Sequence, residues 1–291
     1  MAAYIVERDV IRIAGPDAIS YLQGQLSQDV TGLAVGASAF TFLLEPQGKV
    51  SVWGRVTRVA DDAVIFDVDG GYAEAAMARL TRFKLRTKAD IERLDWQVIA
   101  IRGDHVVDTA GAVVAAYDWP GFEGVDLIGA GISAPPSIAA GDHGEYQRLR
   151  IEAGVPAMGH ELDGNTIPAE AGDVIIDKSV SFTKGCYTGQ ELVARVDSRG
   201  SNTPRRLRLV HIEGGVPEVG SELRVDDKVV GKLTSVAASD DGAVALAYVQ
   251  RAVAPPIAAL VVDQAGRRYT SICVPLAGPA SAVDTGERAA T

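Results

Sequence analysis

The chain has 291 residues, of which 47% are hydrophobic and 23% charged, a balance typical of a globular protein with a core of normal size. Its formal net charge of −10 argues against nucleic acid as the main partner, because neutralising phosphates requires a basic surface. No stretch approaches the roughly 20 apolar residues that span a bilayer, and the first ten residues already carry charges, so we expect neither a membrane segment nor a secretory signal.

The two cysteines, Cys186 and Cys273, lie far apart in the sequence. They cannot form the disulfide framework that is typical of small secreted domains. They are also too few to hold an iron–sulfur cluster through four thiolates. We therefore expect free thiols and a cytoplasmic location.

The first two thirds of the chain mix strand-like and helix-like apolar patterns. In chain order they predict a strand over residues 5–13, a helix over 18–25, a hairpin of strands over 40–44 and 50–59, a strand over 63–68, a helix over 72–83, an extended segment over 91–101 and a helix over 146–153. Strands and helices do not alternate regularly, which favours the α+β class over a doubly wound α/β sheet.

After Pro204 the pattern changes to short strand-like segments separated by turns. Evenly spaced short strands predict a small β-barrel or sandwich. We therefore expect a first region over residues 1–203 with two subdomains, a barrel over 204–279 and a disordered tail over 280–291.

The segment KGCYTGQE, residues 184–191, is the most informative part of the sequence. Thr188 and Glu191 have the spacing of a capping box, so we expect a helix to begin just after Thr188. Cys186 would then lie outside that helix N-terminus, two residues from Lys184, and both the helix dipole and an ammonium favour a thiolate. Cys186, with Lys184 beside it, is therefore a candidate functional thiol.

A structural role for the same cysteine stays open at this point. A single cysteine before a helix is more often a small packing residue. Cys273, within an apolar strand-like segment, is expected to be a core residue. The glycines of the segment and the free N–H groups of a helix start also suit an anionic ligand.

The segment KGCYTGQE resembles the signature K-G-C-Y-x-G-Q-E of the YgfZ family, relatives of the glycine-cleavage T-protein. Residues 15–30 and 167–170 resemble the same family, and the resemblance covers roughly residues 4–275, with 104–140 matching poorly. It implies a T-protein-like, multi-part folate-binding fold around a central cavity, followed by a small C-terminal β-barrel. It also implies a monomer.

Residues 149–156, LRIEAGVP, resemble a T-protein motif whose glutamate binds the pteridine ring of tetrahydrofolate. That role falls on Glu152, since a carboxylate can accept hydrogen bonds from the 2-amino and N3–H edge of a pterin. Without the resemblance, Arg150 and Glu152 would be interpreted as exposed helix charges. The residues predicted to bind tetrahydrofolate or a derivative are Glu152, Arg150, Lys184, Gly185, Tyr187, Gln190 and Arg195.

A group of basic residues is close in sequence and is a candidate for binding the anionic glutamate tail of folate. The alternative is a solvated basic rim between the two regions. The group comprises Lys184, Arg195, Arg199, Arg205 and Arg206.

The resemblance further implies support of iron–sulfur cluster assembly or repair in client enzymes, with the Cys186 thiol required. T-proteins carry acidic residues in an early hairpin, one of which assists aminomethyl transfer. The matching stretch here, residues 47–54, contains no carboxylate, which disfavours that chemistry. A tetrahydrofolate-dependent aminomethyl- or methyltransferase nevertheless stays open as the alternative.

A cysteine-nucleophile hydrolase ranks last, because it needs a histidine base near Cys186. None of the four histidines, His105, His143, His160 and His211, stands in a recognisable catalytic context. His160 precedes a glutamate without a second histidine at helical spacing, so we predict no metal site.

Overall fold

In the computed structural model, residues 2–103, 111–200 and 202–276 are described. The predicted tail over 280–291 lies outside the described residues, and so does His105. No helix in the described part of the chain is long and apolar enough to span a membrane.

Strands and helices mix as the α+β prediction requires, and that prediction is confirmed. The helices are α1 Ala18–Gln25, α2 Ala73–Arg82, α3 His143–Glu152, α4 Asp173–Ser179 and α5 Gln190–Ser198, with a 3-10 turn at Pro168–Ala171. The strands are β1 Ala2–Val6, β2 Arg8–Ala14, β3 Ser38–Leu44, β4 Val50–Ala60, β5 Ala63–Asp69, β6 Asp90–Leu94, β7 Gln97–Arg102, β8 Val113–Tyr117, β9 Gly124–Gly129, β10 Arg205–Glu213, β11 Glu222–Val225, β12 Lys228–Ser239, β13 Gly242–Gln250, β14 Ile257–Val262 and β15 Arg268–Val274.

Two antiparallel sheets form the body of the molecule. One has the order β3-β4-β5-β2-β6 and the other β1-β7-β9-β8. The chain passes from one sheet to the other at Glu7, between β1 and β2, and again between β6 and β7. The single extended segment predicted over 91–101 is therefore two strands in different sheets, because β6 pairs with β2 and β7 pairs with β1.

Strands β10 to β15 close into a barrel with the order β10-β13-β12-β11-β14-β15. Alternating residues of these strands are buried inside it, as expected for a barrel filled by side chains. The predicted C-terminal β-barrel is confirmed. Cys273 is fully buried in its core, as expected, and burial raises the pKa of its thiol to about 11.

Aromatic side chains pack between the two sheets and α4. Phe40 stacks on Trp53 with 5.3 Å between ring centroids and meets Tyr117 edge-on at 4.9 Å. Trp119 adds edge contacts to Phe40 and Trp53 at 5.8 Å each. Offset and edge-to-face contacts are the favourable arrangements of aromatic rings, so this cluster forms a rigid centre for the body.

Six buried or half-buried charged side chains of alternating sign join the sheets. Burial alone would raise the pKa of Asp126, but its arginine neighbours hold it below the ordinary value. Each charge has an opposite charge beside it, which offsets part of the cost of removing it from water. The chain of ion pairs is Asp69–Arg8 (2.6 Å), Arg8–Asp67 (2.6 Å), Asp67–Arg55 (3.1 Å), Arg55–Asp126 (2.8 Å) and Asp126–Arg102 (2.7 Å).

Candidate functional site: a central cavity and an exposed thiol

A cavity of about 440 Å³ lies where the two sheets, α3 and the barrel meet. This volume falls within the range of about 300 to 1,000 Å³ that is usual for small-molecule sites. The body contributes Val6, Glu7, Arg8, Trp53, Asp69, Gly70 and Tyr117; α3 and the loop after it contribute His143, Tyr146, Gln147, Arg150, Ile151, Val155, Pro156, Ala157, Met158 and His160; the barrel side contributes Val219, Ser235 and Val236.

Aromatic side chains form one wall of the cavity. Trp53 is held in place because its indole N–H donates to the Ser179 hydroxyl at 2.9 Å. Burial raises the pKa of both Tyr117 and Tyr146, so these phenols stay neutral over the physiological pH range. These side chains therefore offer uncharged aromatic surfaces against which a planar ligand can stack.

Arg150 points into the centre of a polar network rather than presenting a free guanidinium. It donates to the Gln147 side chain (2.8 Å), the Val155 carbonyl (2.7 Å), Glu161 (3.3 Å) and the Ser235 hydroxyl (2.9 Å). Four of its five N–H groups are thereby used. Arg150 lines the cavity, but its main contacts hold α3 against the barrel.

The carboxylate of Glu161 is the other centre of that network. It accepts hydrogen bonds from the hydroxyls of Thr234 and Ser235, both at 2.6 Å, and from the backbone N–H of Ala157 at 3.0 Å. Glu161 and its neighbour His160 belong to one turn, and His160 is exposed at the cavity. The adjacent residues His160 and Glu161 thus have different roles: the Glu161 carboxylate joins the turn to the barrel, and the His160 imidazole lines the cavity.

Glu152 lies outside the residues that line the cavity. It ends α3, two positions after Arg150 and hence on the opposite side of the helix, and its carboxylate pairs with Arg148 at 2.9 Å. Its side chain is 36% exposed. The contact between Glu152 and a pterin ring therefore stays a prediction that would require the Arg148 pair to open.

The loop over residues 181–189, the Cys186 loop, joins α4 to α5 and is anchored by Lys184. The ammonium donates to the carbonyl oxygens of Gln23, Leu26 and Gln28 at 2.6, 2.7 and 2.8 Å, around the C-terminal end of α1. All three of its N–H donors are used in this way. Burial lowers the pKa of Lys184 to about 8.

Gly189 gives the loop a second anchor. Its φ of +85° lies in the left-handed region, and a Cβ there would stand 2.7 Å from the carbonyl oxygen of Glu45. Only glycine fits such a position without strain. The expected capping box is wrong: the N-cap of α5 is Gly189, not Thr188, and it has no side-chain cap.

The other motif residues surround the thiol without entering the cavity. Tyr187 is buried in the hydrophobic cluster that also contains Trp53, and burial raises its pKa to about 12. The Gln190 side chain accepts the N–H of Tyr187 at 3.3 Å. A Cβ at Gly185 would meet nothing within 4 Å, and Arg195 is exposed on α5.

Cys186 itself is exposed, between the two anchors. Of the seven residues predicted to bind a cofactor, Arg150 alone lines the cavity. Cys186, Lys184, Gly185, Tyr187, Gln190 and Arg195 do not line the cavity. The structure thus divides the predicted site into an open cavity and a separate exposed thiol.

The proposed basic group for a folate tail is also divided. Arg205 pairs with Glu170 at 3.1 Å and covers the ring of Tyr248 at 4.2 Å, and Arg206 lies 3.6 Å from Asp173. Arg195 and Arg199 are exposed. Arg205 and Arg206 therefore connect the barrel to the 3-10 turn and to α4.

Sequence reasoning missed Trp53, Asp69 and Tyr146 as cavity residues. They come from β4, β5 and α3, which are far apart in the chain. Trp53 falls within the stretch 47–54 that matches the acidic hairpin of T-proteins, and among those residues it alone lines the cavity. The match of residues 47–54 to the T-protein hairpin was therefore a local signal that could have placed Trp53 in the cavity wall.

No family model matches the chain. The protein is 28% identical over 269 residues to the tRNA-modifying protein YgfZ of Klebsiella pneumoniae, with 79% of each chain covered. It is 27% identical over 247 residues to the mitochondrial iron–sulfur cluster assembly factor IBA57 homolog of Neurospora crassa, covering 75% of this chain and 55% of that protein. Other YgfZ proteins match at 24 to 28% identity. The chain is thus similar to YgfZ proteins over most of its length.

The fold of this chain is shared with the glycine cleavage system aminomethyltransferase T of Bartonella henselae. The two structures superpose with a TM-score of 0.71 at 16% identity, covering 94% of this chain and 85% of that chain. The expected T-protein-like fold is confirmed.

Proposed function

We propose that this protein binds tetrahydrofolate or a derivative in the central cavity and supports assembly or repair of iron–sulfur clusters in client enzymes through the Cys186 thiol. The observation that carries the proposal is the exposed Cys186 between the anchors Lys184 and Gly189. An accessible thiol on a fixed loop can reach a second protein, as a ligand or a nucleophile, without opening the fold.

Client proteins rather than RNA are the proposed partners of the thiol. The names of the relatives mention both iron–sulfur cluster assembly and tRNA modification. The net charge of −10 favours protein clients, because binding to the phosphates of tRNA needs a basic surface. We also propose a monomer in the cytoplasm, in keeping with its two free cysteines.

The cavity residues fit a folate ring. Trp53, Tyr117 and Tyr146 would flank the pterin, and Arg150 would keep its neighbours in place. Bound tetrahydrofolate supplies a ring that can carry a one-carbon unit. The other predicted folate contacts, Glu152 and the motif residues from Lys184 to Arg195, do not line the cavity, so the proposal rests on the aromatic wall.

The alternative function is a tetrahydrofolate-dependent aminomethyl- or methyltransferase. Such an enzyme needs a group that bears charge or moves a proton next to the folate amine. The hairpin stretch 47–54 places an aromatic ring, Trp53, on the cavity where that group is expected. We therefore favour an accessory role over catalysis of aminomethyl transfer.

The test of the thiol is Cys186→Ala in cells that carry only this variant. We expect loss of activity of iron–sulfur enzymes with an unchanged circular dichroism spectrum and melting temperature. Cys273→Val is the matched control, since it removes the buried thiol and should keep client activity. Normal activity of the iron–sulfur enzymes in cells with Cys186→Ala would contradict the proposal.

The test of the cavity is calorimetric titration with tetrahydrofolate. We expect Tyr146→Ala to bind about 10-fold more weakly than the wild type, because one stacking surface is lost. Cys186→Ala should bind like the wild type. Absence of binding by the folded wild type would remove folate from the proposal and leave the thiol.

A further inference from the structure

A ligand that carries adjacent N–H donors needs a fixed acceptor inside the cavity. The 2-amino-4-oxo ring proposed above presents such a pair, the 2-amino group and N3–H, and a carboxylate is the natural acceptor for both. Among the residues that line the cavity, the carboxylates are Glu7, which is exposed, and Asp69, whose side chain is 24% exposed. Glu152 is not among them.

Asp69 is held in one orientation from two sides. The Arg8 guanidinium donates to its Oδ1 at 2.6 Å, and the backbone N–H of Met158 donates to its Oδ2 at 2.8 Å. Arg8 is itself fixed by Asp67 at 2.6 Å. A carboxylate offers about four lone-pair sites, so each oxygen keeps one site for a further donor.

The surroundings of Asp69 leave room for a ring. The next residue, Gly70, has no side chain and also lines the cavity. Tyr146 and Tyr117 belong to the same cavity wall. Hydrogen bonds accepted by an ionised carboxylate are stronger than those accepted by a neutral oxygen.

We propose that Asp69 is the specificity-determining residue of the cavity, accepting the 2-amino and N3–H groups of a 2-amino-4-oxo heterocycle. This inference rests on the proposed folate function and places the recognition of the ring edge on Asp69 instead of Glu152. Arg8 and the Met158 amide act as positioning groups for the acceptor.

Selectivity between two rings tests the assignment. Pterin carries the 2-amino donor, and lumazine has a 2-oxo acceptor in its place. Wild type is expected to bind pterin about 10- to 100-fold more tightly than lumazine. The 2-oxo group of lumazine would face the Asp69 carboxylate, and two hydrogen-bond acceptors leave each other unpaired. Asp69→Asn offers an amide N–H and should reduce that ratio to below about threefold, by weakening pterin and improving lumazine.

Glu152→Gln is the matched control, and it should leave the pterin-to-lumazine ratio unchanged. A reversed pattern, with the ratio lost in Glu152→Gln and kept in Asp69→Asn, overturns the inference while the proposed function stands. Wild type that binds neither tetrahydrofolate nor pterin removes the proposed function of the cavity, and the inference with it.

A measurement on the wild type covers the case in which Asp69→Asn fails to fold. The chain has three methionines, so selective ¹⁵N-methionine labelling gives few amide signals. Pterin should shift the amide signal of Met158, which donates to Asp69, and leave that of Met77 in α2 unmoved. Binding of pterin without a shift of Met158 contradicts the proposal.

Discussion

The cavity and the Cys186 loop place their functional groups in opposite surroundings. In the cavity, the charged groups of Arg8, Asp69 and Arg150 are held by ion pairs and hydrogen bonds within the protein. On the loop, Cys186 is exposed, although Lys184 and Gly189 fix the backbone on either side of it. The two proposed functions, binding of a small molecule and contact with a second protein, would thus be served by separate parts of the molecule.

The two thiols provide the largest contrast between an exposed and an enclosed site. Iodoacetamide should alkylate Cys186 in the native protein at least about 1,000-fold faster than Cys273, because Cys273 reacts only when the barrel opens. Mass spectrometry of the two tryptic peptides measures both rates. Tetrahydrofolate should leave the Cys186 rate unchanged, whereas strong protection by folate would show that the loop and the cavity form one site.

The buried ion pair of Arg150 and Glu161 is expected to contribute more to stability than the partly exposed pair of Arg205 and Glu170. Glu161→Ala leaves the guanidinium of Arg150 buried without its carboxylate and should lower the free energy of unfolding by about 3 to 5 kcal/mol. The control is Glu170→Ala, because its partner Arg205 is 41% exposed and keeps its stacking on Tyr248. This variant should lower the free energy of unfolding by about 1 kcal/mol. Urea unfolding measures both; equal losses would show that burial does not set the difference.

Lys184→Met tests whether the ammonium anchors the loop or acts on the thiol. Three carbonyl oxygens of α1 and the following turn would lose their donor, so we expect a loss of about 1 to 3 kcal/mol. Hydrogen exchange of the Thr188 amide, which donates to Gly24 at 3.1 Å, should accelerate. Lys184→Arg should only partly restore protection, because a planar guanidinium does not match three converging carbonyls.

The outcome for thiol chemistry separates the two roles of Lys184. If it only anchors the loop, Lys184→Met keeps the pH profile of Cys186 alkylation while exchange of the loop increases. A loop that stays protected while the alkylation profile moves to higher pH would place the action of the ammonium on the sulfur.

Local patterns predicted those features that depend on neighbours in sequence. Helix α1, the hairpin of β3 and β4 and the barrel strands follow from apolar periodicity and turn residues. The motif around Cys186 was also recognisable from the sequence. The exposure of its thiol, by contrast, is a property of the folded loop.

The contacts that the sequence could not predict are long-range ones. Lys184 finds its acceptors more than 150 positions earlier in the chain, and Asp69 meets Met158 across 89 positions. The helix start after the motif was misplaced by one residue for a similar reason. Close packing of Gly189 against Glu45, rather than a side-chain cap, sets the beginning of α5.

The smallest expected effect concerns the pH dependence that Cys273 gives to the barrel. Burial raises the pKa of its thiol to about 11, above its ordinary value of 9.0. Between these values the unfolded chain loses a proton that the folded chain keeps, so stability falls as the pH rises. Wild type should therefore lose about 1 kcal/mol more than Cys273→Val between pH 8 and pH 10 in urea unfolding.

Arg208 provides the control for that difference, because its charge acts on the Cys273 thiol in the opposite direction to burial. Arg208→Gln removes the one charge that favours the thiolate, so the alkaline loss of stability should steepen while Cys273→Val still abolishes the extra slope. Equal slopes in wild type and Cys273→Val would mean that the barrel admits the thiolate at little cost. The buried thiol of Cys273 and the exposed thiol of Cys186 would then differ in steric access alone, which the alkylation rates measure.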